Sequence, residues 1–370
     1  MTNELLPNCS SVHGTRSLLW GGESGGIAGD QSPWAVQLPE AVAFGMAVTS
    51  KGHCYVLGSY GTLHAINVES GQSDWTLSLP LEGIKVSDFR VVEDFLIVEF
   101  FIINLETRTI DVDLRKCVKD FALKSGSPIE VQDSKIYRVV DSKLAPGKIL
   151  VFDLESRKST LIDVGMINLC MPDANNIVGW RKEANTHVLS KYKTGSEVLE
   201  VLSNEVKLGR LVLEGNEILT FNRSEIALLD VHNGSLVWRV DLPGLVSPVN
   251  PELAMQFKIA ICGDAIYIEQ SGHLIAVDRS SGKALWSKQY ERVHDICIVG
   301  DLLYGISDDH TLIALDRYSG HDVWSQQVPC PWASVKAIDN KLLFISASGD
   351  VICFEWETSK PYVSPERAVS

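Results

Sequence analysis

The chain repeats itself, and the repeat restricts the fold more than any other feature. Gly263–Trp286, GDAIYIEQSGHLIAVDRSSGKALW, lies over Gly52–Trp75, Gly215–Trp238 and Gly300–Trp324 with almost no adjustment. Counting back from Trp75, Trp238, Trp286 and Trp324, the fourth residue is Gly71, Gly234, Gly282 or Gly320. The eighth is Asn67, Asp230, Asp278 or Asp316. Self-similarity at a period of about 40 residues marks an array of supersecondary units, none of which can bury its apolar face alone.

Each copy reads as short strands. Ala265–Glu269 is rich in β-branched and aromatic residues, and Leu274–Asp278 is a second apolar run after the turn Gln270-Ser271-Gly272. The run Asp278-Arg279-Ser280-Ser281-Gly282 has turn chemistry. The Asp side chain accepts backbone N–H bonds, and Gly takes positive φ at little cost. A third strand carries Ala284-Leu285-Trp286, whose indole can bury on the order of 200 Å² against a neighbouring unit. The repeat Asp and Trp are therefore read as turn cap and inter-unit wedge.

A four-stranded sheet of this size cannot cover both of its faces, so copies stack, and radial closure leaves only short edges. That describes an all-β fold, a β-propeller. The pattern A-x-D-x-x-(S/T)-G-x-x-x-W, seen as Ala276…Asp278…Ser281-Gly282…Trp286 and Ala314…Asp316…Ser319-Gly320…Trp324, resembles the repeat of the quinoprotein-like (PQQ-like) propeller family. Four copies match closely, and weaker ones extend the resemblance over nearly the whole chain.

Units fall at about 42–80, 84–115, 123–164, 165–203, 206–243, 254–289 and 293–329. An eighth is composite, 332–358 plus 33–38. Trp34-Ala-Val-Gln-Leu-Pro39 looks like an outer strand with no inner strands before it, and the last unit has three strands and no outer one. The reading is an eight-bladed ring closed by an N-terminal strand that completes the C-terminal blade. Two copies are irregular: Phe95–Leu105 lacks a Gly turn, and Ile177–Tyr192 lacks the terminal Trp. If they merge, seven blades result. Flanking the propeller domain (33–358) are an irregular N-terminal arm (1–32) and a polar C-terminal tail (359–370).

Net charge, 33 basic against 47 acidic residues or −14, argues against nucleic acid and anionic membrane and favours a basic protein partner or a cationic ligand. No run of eighteen apolar residues is present to cross a bilayer. The N-terminus lacks a basic start followed by an apolar core, which points to the cytoplasm. Eight cysteines are spread singly with no CxxC, a pattern that suits reduced, buried thiols.

No catalytic set emerges. G-x-S-x-G, a P-loop, HExxH and a strand-borne G-x-G-x-x-G are all missing. The resemblance implies a vicinal Cys-Cys pair and a Glu/Asn/Asp calcium site in the quinoprotein dehydrogenases. No two cysteines here are adjacent, so the repeat carries over and the cofactor does not; no cofactor and no metal are expected. Asp308-Asp309-His310 is the most metal-like cluster, although consecutive residues seldom all face one ion. If the turns between second and third strands share a face, it carries Tyr60, Lys143, Arg181, Glu183, Arg223, Gln270, Asp308, Asp309 and His310, with Trp332 from a linker. Aromatic and Arg residues among mixed charges resemble interface anchors. The expectation is a monomeric, non-catalytic protein-binding propeller, for example a bacterial immunity protein that neutralises a cognate toxin. Two alternatives stand beside it. One is an enzyme or ligand sensor built on the central channel; the other is a scaffold resembling the propeller subunit of outer-membrane barrel insertion.

Overall fold

The computed structural model describes residues 10–12, 34–82, 86, 89–118, 122–123, 129–141, 147–173, 175–183, 186–194, 198–222, 225–241, 258–270, 272–290, 293–307, 311–327, 333–338, 341–346 and 348–355. They form eight antiparallel sheets, seven of them built on four strands in sequence order and the eighth on three C-terminal strands and one N-terminal strand, and the fold is an eight-bladed β-propeller. Among the described residues the only helical element is the short 3-10 turn Leu114–Cys117.

The blades fall into two compact units. The first holds blade one (Val42–Ser50, His53–Gly58, Thr62–Asn67, Ser73–Ser78), blade six (Lys258–Cys262, Ala265–Gln270, His273–Asp278, Ala284–Gln289), blade seven (Val293–Val299, Leu302–Ser307, Thr311–Asp316, Asp322–Gln327) and blade eight. Blade eight consists of Ala333–Ile338, Lys341–Ser346 and Asp350–Glu355, and its outer strand is Trp34–Gln37. The register is Trp34 opposite Cys353, Ala35 opposite Ile352, Val36 opposite Val351 and Gln37 opposite Asp350. The N-terminal strand thus completes the C-terminal blade. Leu38 and Val42 then pack with Cys54, Ile66, Leu343, Ile345, Val351 and Cys353, which joins blade eight to blade one.

The second unit holds blades two to five. They run Phe89–Val92 to Thr109–Asp113, Ala122–Leu123 to Ser159–Asp163, Met166–Asp173 to Val198–Ser203 and Arg210–Glu214 to Leu236–Asp241. Both irregular copies are full four-stranded blades, which excludes the seven-bladed count. In blade two the missing turn glycine is replaced by Glu99, whose φ of 51° is positive. Its carboxylate is fully buried and accepts from Arg138 Nη2 of blade three at 2.9 Å. The Arg138 guanidinium also lies 5.3 Å from the centroid of the Phe100 ring. A polar turn inside the fold is tolerated because the charge has a buried counter-ion. In blade four, Trp180 sits mid-sheet with no exposure and packs with Cys170, Val178, Leu189, Val206, Ile218 and Ala227 of blades four and five.

Hydrophobic clusters between consecutive blades hold each unit, for example Tyr267, Leu274, Ile296 and Leu303 between blades six and seven. Tyr137, Val151, Met166 and Ile177 do the same between blades three and four. Each such buried aliphatic side chain contributes about 1.5–3 kcal/mol over leaving it in water.

Cysteine chemistry departs from the expected pattern of free thiols throughout. Cys54, Cys117, Cys170, Cys297 and Cys353 are free thiols, but Cys262 is disulfide-bonded. Burial raises the pKa of the Cys54 and Cys297 thiols to about 12, so both are inert at neutral pH.

Candidate protein-binding turns

The residues between the second and third strands of a blade decide what that end can offer a partner, and they are described in full in blades one and two. In blade one the turn is built around Glu40, which follows the ring-closing strand. Its Oε2 accepts the Tyr60 amide at 3.0 Å, and its Oε1 lies 3.3 Å from Nε2 of the buried His64. Gly58 permits this: a β-carbon there would fall 2.2 Å from Glu40 Cδ. Burial pushes the Glu40 carboxyl pKa up, but bonds from Thr62, the Tyr60 amide and His64 outweigh it and leave it below the ordinary carboxylate value. The same turn is closed by the Gly61 amide on Gly58 O at 3.0 Å and by the Leu79 amide on Gly61 O at 2.9 Å. On this fixed frame the Tyr60 side chain is 86% exposed, far more than any other large apolar residue described.

Blade four offers charge. Arg181 and Glu183, both on Asn176–Glu183, form an ion pair with each other, and the Thr186 hydroxyl donates to Glu183 O at 3.1 Å. The two side chains are part-exposed at 30% and 42%, so a partner meets a pre-paired dipole. In blade five Glu225 is 2% exposed and takes the Lys207 amide at 2.7 Å with Lys207 Nζ 3.2 Å away, while Arg239 Nη1 donates to Glu205 O at 2.8 Å.

Of the other sequence candidates, Gln270 is the last residue of its strand, with only its backbone described. Lys143, Arg223, Asp308, Asp309, His310 and Trp332 lie outside the described residues. Among the described residues no group of three or more His, Cys, Asp or Glu could hold a metal ion.

The repeat positions sit elsewhere, at the turns between third and fourth strands. Asn67 Oδ1 accepts the amides of Glu69 and Ser70, and Asp230 those of His232 and Asn233. Asp278 takes Ser281, and Asp316 takes Tyr318 and Ser319. Hydrogen bonds from Ser281 and Ser280 hold the Asp278 carboxyl below its ordinary pKa. Asn104 and Asp153 do the same work in blades two and three, and sequence reasoning missed both. Their signal, a strand-terminal Asn or Asp followed by Thr or Ser, was present without the Gly and the Trp that flag the other copies.

Gly71, Gly234, Gly282 and Gly320 all have φ near +70° (70, 71, 70 and 72). A β-carbon on Gly320 would lie 2.6 Å from Trp286 Cδ2, and Trp286 Nε1 donates to Arg317 O at 2.9 Å, so the indole of one blade seats on the turn of the next. Trp75, Trp286 and Trp324 also tilt against Tyr55, Tyr267 and Tyr304 of their own blades, with centroids 6.0, 6.1 and 5.9 Å apart. Those tyrosines share the third place of the second strand, a repeat feature that the sequence analysis did not use. Trp238 is 7% exposed.

Residues 190–326 match the family model described as outer membrane protein assembly factor BamB. No curated protein sequence matches the chain. Among solved structures, BamB from Moraxella catarrhalis is similar at 13% identity and TM-score 0.62, covering 87% of this chain and 98% of that one. The quinohemoprotein alcohol dehydrogenase from Comamonas testosteroni is similar at 11% identity and TM-score 0.62, covering 90% and 77%. Sqt1 from Saccharomyces cerevisiae is similar at 11% identity and TM-score 0.61, covering 88% and 98%. The residues present do not fit a quinone cofactor of the dehydrogenase kind, since no two cysteines are adjacent in sequence to form the vicinal pair that the resemblance implies. The blade topology and these likenesses together show an eight-bladed β-propeller fold, within which residues 190–326 are similar to the PQQ-like repeat model described for BamB.

Proposed function

We propose that this protein is a non-catalytic binding propeller that engages another protein, with Tyr60 anchoring the contact. The observation that carries the reading is an aromatic ring presented to water on an immobilised turn: 86% exposed, with its own amide tied to Glu40. An anchor whose backbone is already ordered loses little freedom on binding, and Tyr is among the residue types that dominate interface energetics. The charge of −14 favours a basic partner, steered in by complementary potential. In its sharpest form the protein is an immunity factor, a monomer whose acidic surface covers a basic toxin. A second reading, a scaffold in membrane-protein assembly, is favoured by the match of residues 190–326 to the assembly-factor family.

The test is affinity capture of the tagged full chain from its native host, followed by mass spectrometry, alongside Tyr60→Ala. The expected result is one stoichiometric partner whose affinity falls at least tenfold in the variant, about 1.4 kcal/mol. A basic secreted toxin supports the immunity form, and a component of membrane-barrel insertion supports the scaffold form. No partner, together with a small molecule or ion retained in native mass spectra, overturns both in favour of the channel-site alternative.

A further inference from the structure

Blade six carries one strand more than the four of its sequence repeat. Ser10–Val12 pairs antiparallel with its first strand, Lys258–Cys262, with Ser10 opposite Ile261, Ser11 opposite Ala260 and Val12 opposite Ile259. Among the described residues no other first strand receives a segment from outside its own blade. The added strand lies on the edge away from Ala284–Gln289, an edge that accepts a further strand because its outward backbone groups have no partner within the blade.

The receiving strand does not depend on the added one. All five of its residues are in register with Ala265–Gln270 on the other side. Ala260 and Cys262 also pack with Val293, Ile296 and Leu303 of blade seven. The added strand is the weaker party. Three residue pairs are too few to hold it by backbone bonds alone, and residues 13–33 tether it to the ring-closing strand that begins at Trp34. Such a tether raises its local concentration only to the order of millimolar. A better matched strand therefore displaces it.

Opposed residues of an antiparallel pair share a face, and β-branched neighbours pair well there. The resident sets Val12 against Ile259 but the short, polar Ser10 against Ile261. A strand with Val or Ile at both places and a small residue between them matches this edge better. We propose that the first-strand edge of blade six is a strand-addition site for an extended segment of the protein partner, patterned Val/Ile, small, Val/Ile, and that Ser10–Val12 occupies it until that segment arrives. In this mode main-chain hydrogen bonds supply affinity and alternate side chains supply selectivity. The inference rests on the protein-binding reading and adds to it a second contact besides the Tyr60 turn.

Peptide binding to the full chain tests the site without the native partner. The probe is the fluorescein-labelled pentapeptide Thr-Val-Ser-Val-Thr, read by anisotropy on the parent, on Ser10→Pro/Ser11→Pro and on Ser10→Val. Adjacent amides of a strand point to opposite sides, so two adjacent prolines remove one donor from this edge whichever way the pair faces. The proline variant is expected to exchange amides faster within 258–262 and to bind the probe at least tenfold more tightly than the parent. Ser10→Val is expected to bind it more weakly than the parent, and a probe with Pro-Pro at its second and third places should bind none of the three. Unchanged exchange in the proline variant, equal probe affinity in parent and proline variant, or no probe binding to the proline variant overturns the assignment. Partner capture by Tyr60→Ala reads the anchor alone: an undiminished affinity there overturns the Tyr60 reading and leaves the probe result standing.

Discussion

The two units solve the same packing problem with different chemistry. In the first, indoles wedge onto glycine turns. A β-carbon on Gly71 would fall 2.5 Å from Trp34 Cδ2, and Trp34 Nε1 donates to Val68 O at 2.8 Å; Trp286 sits on the Gly320 turn in the same way. In the second, the places change hands. Arg157, with φ of 58°, stands where the turn glycine would be and pairs with Asp111 of the preceding outer strand, its guanidinium 5.2 Å from the Phe95 ring centroid. At the next wedge described, Leu202 replaces the indole and touches Gly234, whose β-carbon would meet Leu202 O at 2.2 Å. One contact, blade against following turn, is made by burial in one unit and largely by charge or a smaller aliphatic in the other. The architecture needs the site filled, and several side chains can fill it.

This contrast breaks first at the most buried charge. Arg138→Met leaves Glu99 in the second unit without its counter-ion and is expected to cost about 3–5 kcal/mol in urea unfolding, most of it recovered in Glu99→Gln/Arg138→Met. Full stability of the single variant would mean that the pair does not hold blade two to blade three. Next come the glycine turns. Gly320→Ala is expected to cost about 2–3 kcal/mol, from a left-handed backbone and a clash with Trp286 that cannot relax without moving the wedge. The reciprocal change, Arg157→Gly, stays within about 1 kcal/mol, because relief of positive φ offsets a half-exposed ion pair. If the two glycine-site variants behave alike, the units do not differ as described.

The smallest effect is a pH dependence in the ring-closing segment. The Glu40 pKa is depressed in the folded state, so its contribution is present above the unfolded carboxyl value of about 4.3 and is lost as pH falls through the folded one. Glu40→Gln should therefore lower stability modestly at pH 7 and flatten its dependence on pH below about 4, so that variant and parent converge at low pH. An unchanged acid limb would show that Glu40 does not stabilise the closure.

How much of this is legible in the sequence follows the same division. Blades one, five, six and seven announce themselves through Asn or Asp, Gly and Trp at fixed spacing, and ring closure follows from an orphan Trp34 strand facing an unfinished C-terminal blade. Blades two and four are hard to read because their distinguishing contacts are non-local. Glu99 makes sense in a turn only once Arg138, 39 residues on, is known to be beside it. Cys262 likewise carries no local sign of its bond. The binding turns are half legible: Tyr60 can be named from its turn, but its fixed frame depends on Glu40 arriving from the closing strand, which no spacing rule signals. Arg181 and Glu183 look like two free charges in sequence and are one pair in space.

Hydrogen exchange on the full chain, alone and with its captured partner, sets the two units against each other directly. The account predicts new protection at Gly58–Thr62 in the first unit, centred on the Tyr60 turn, exceeding any change at Arg181–Thr186 in the second. A saturated complex that leaves Gly58–Thr62 unchanged would contradict it and move the interface elsewhere on the ring.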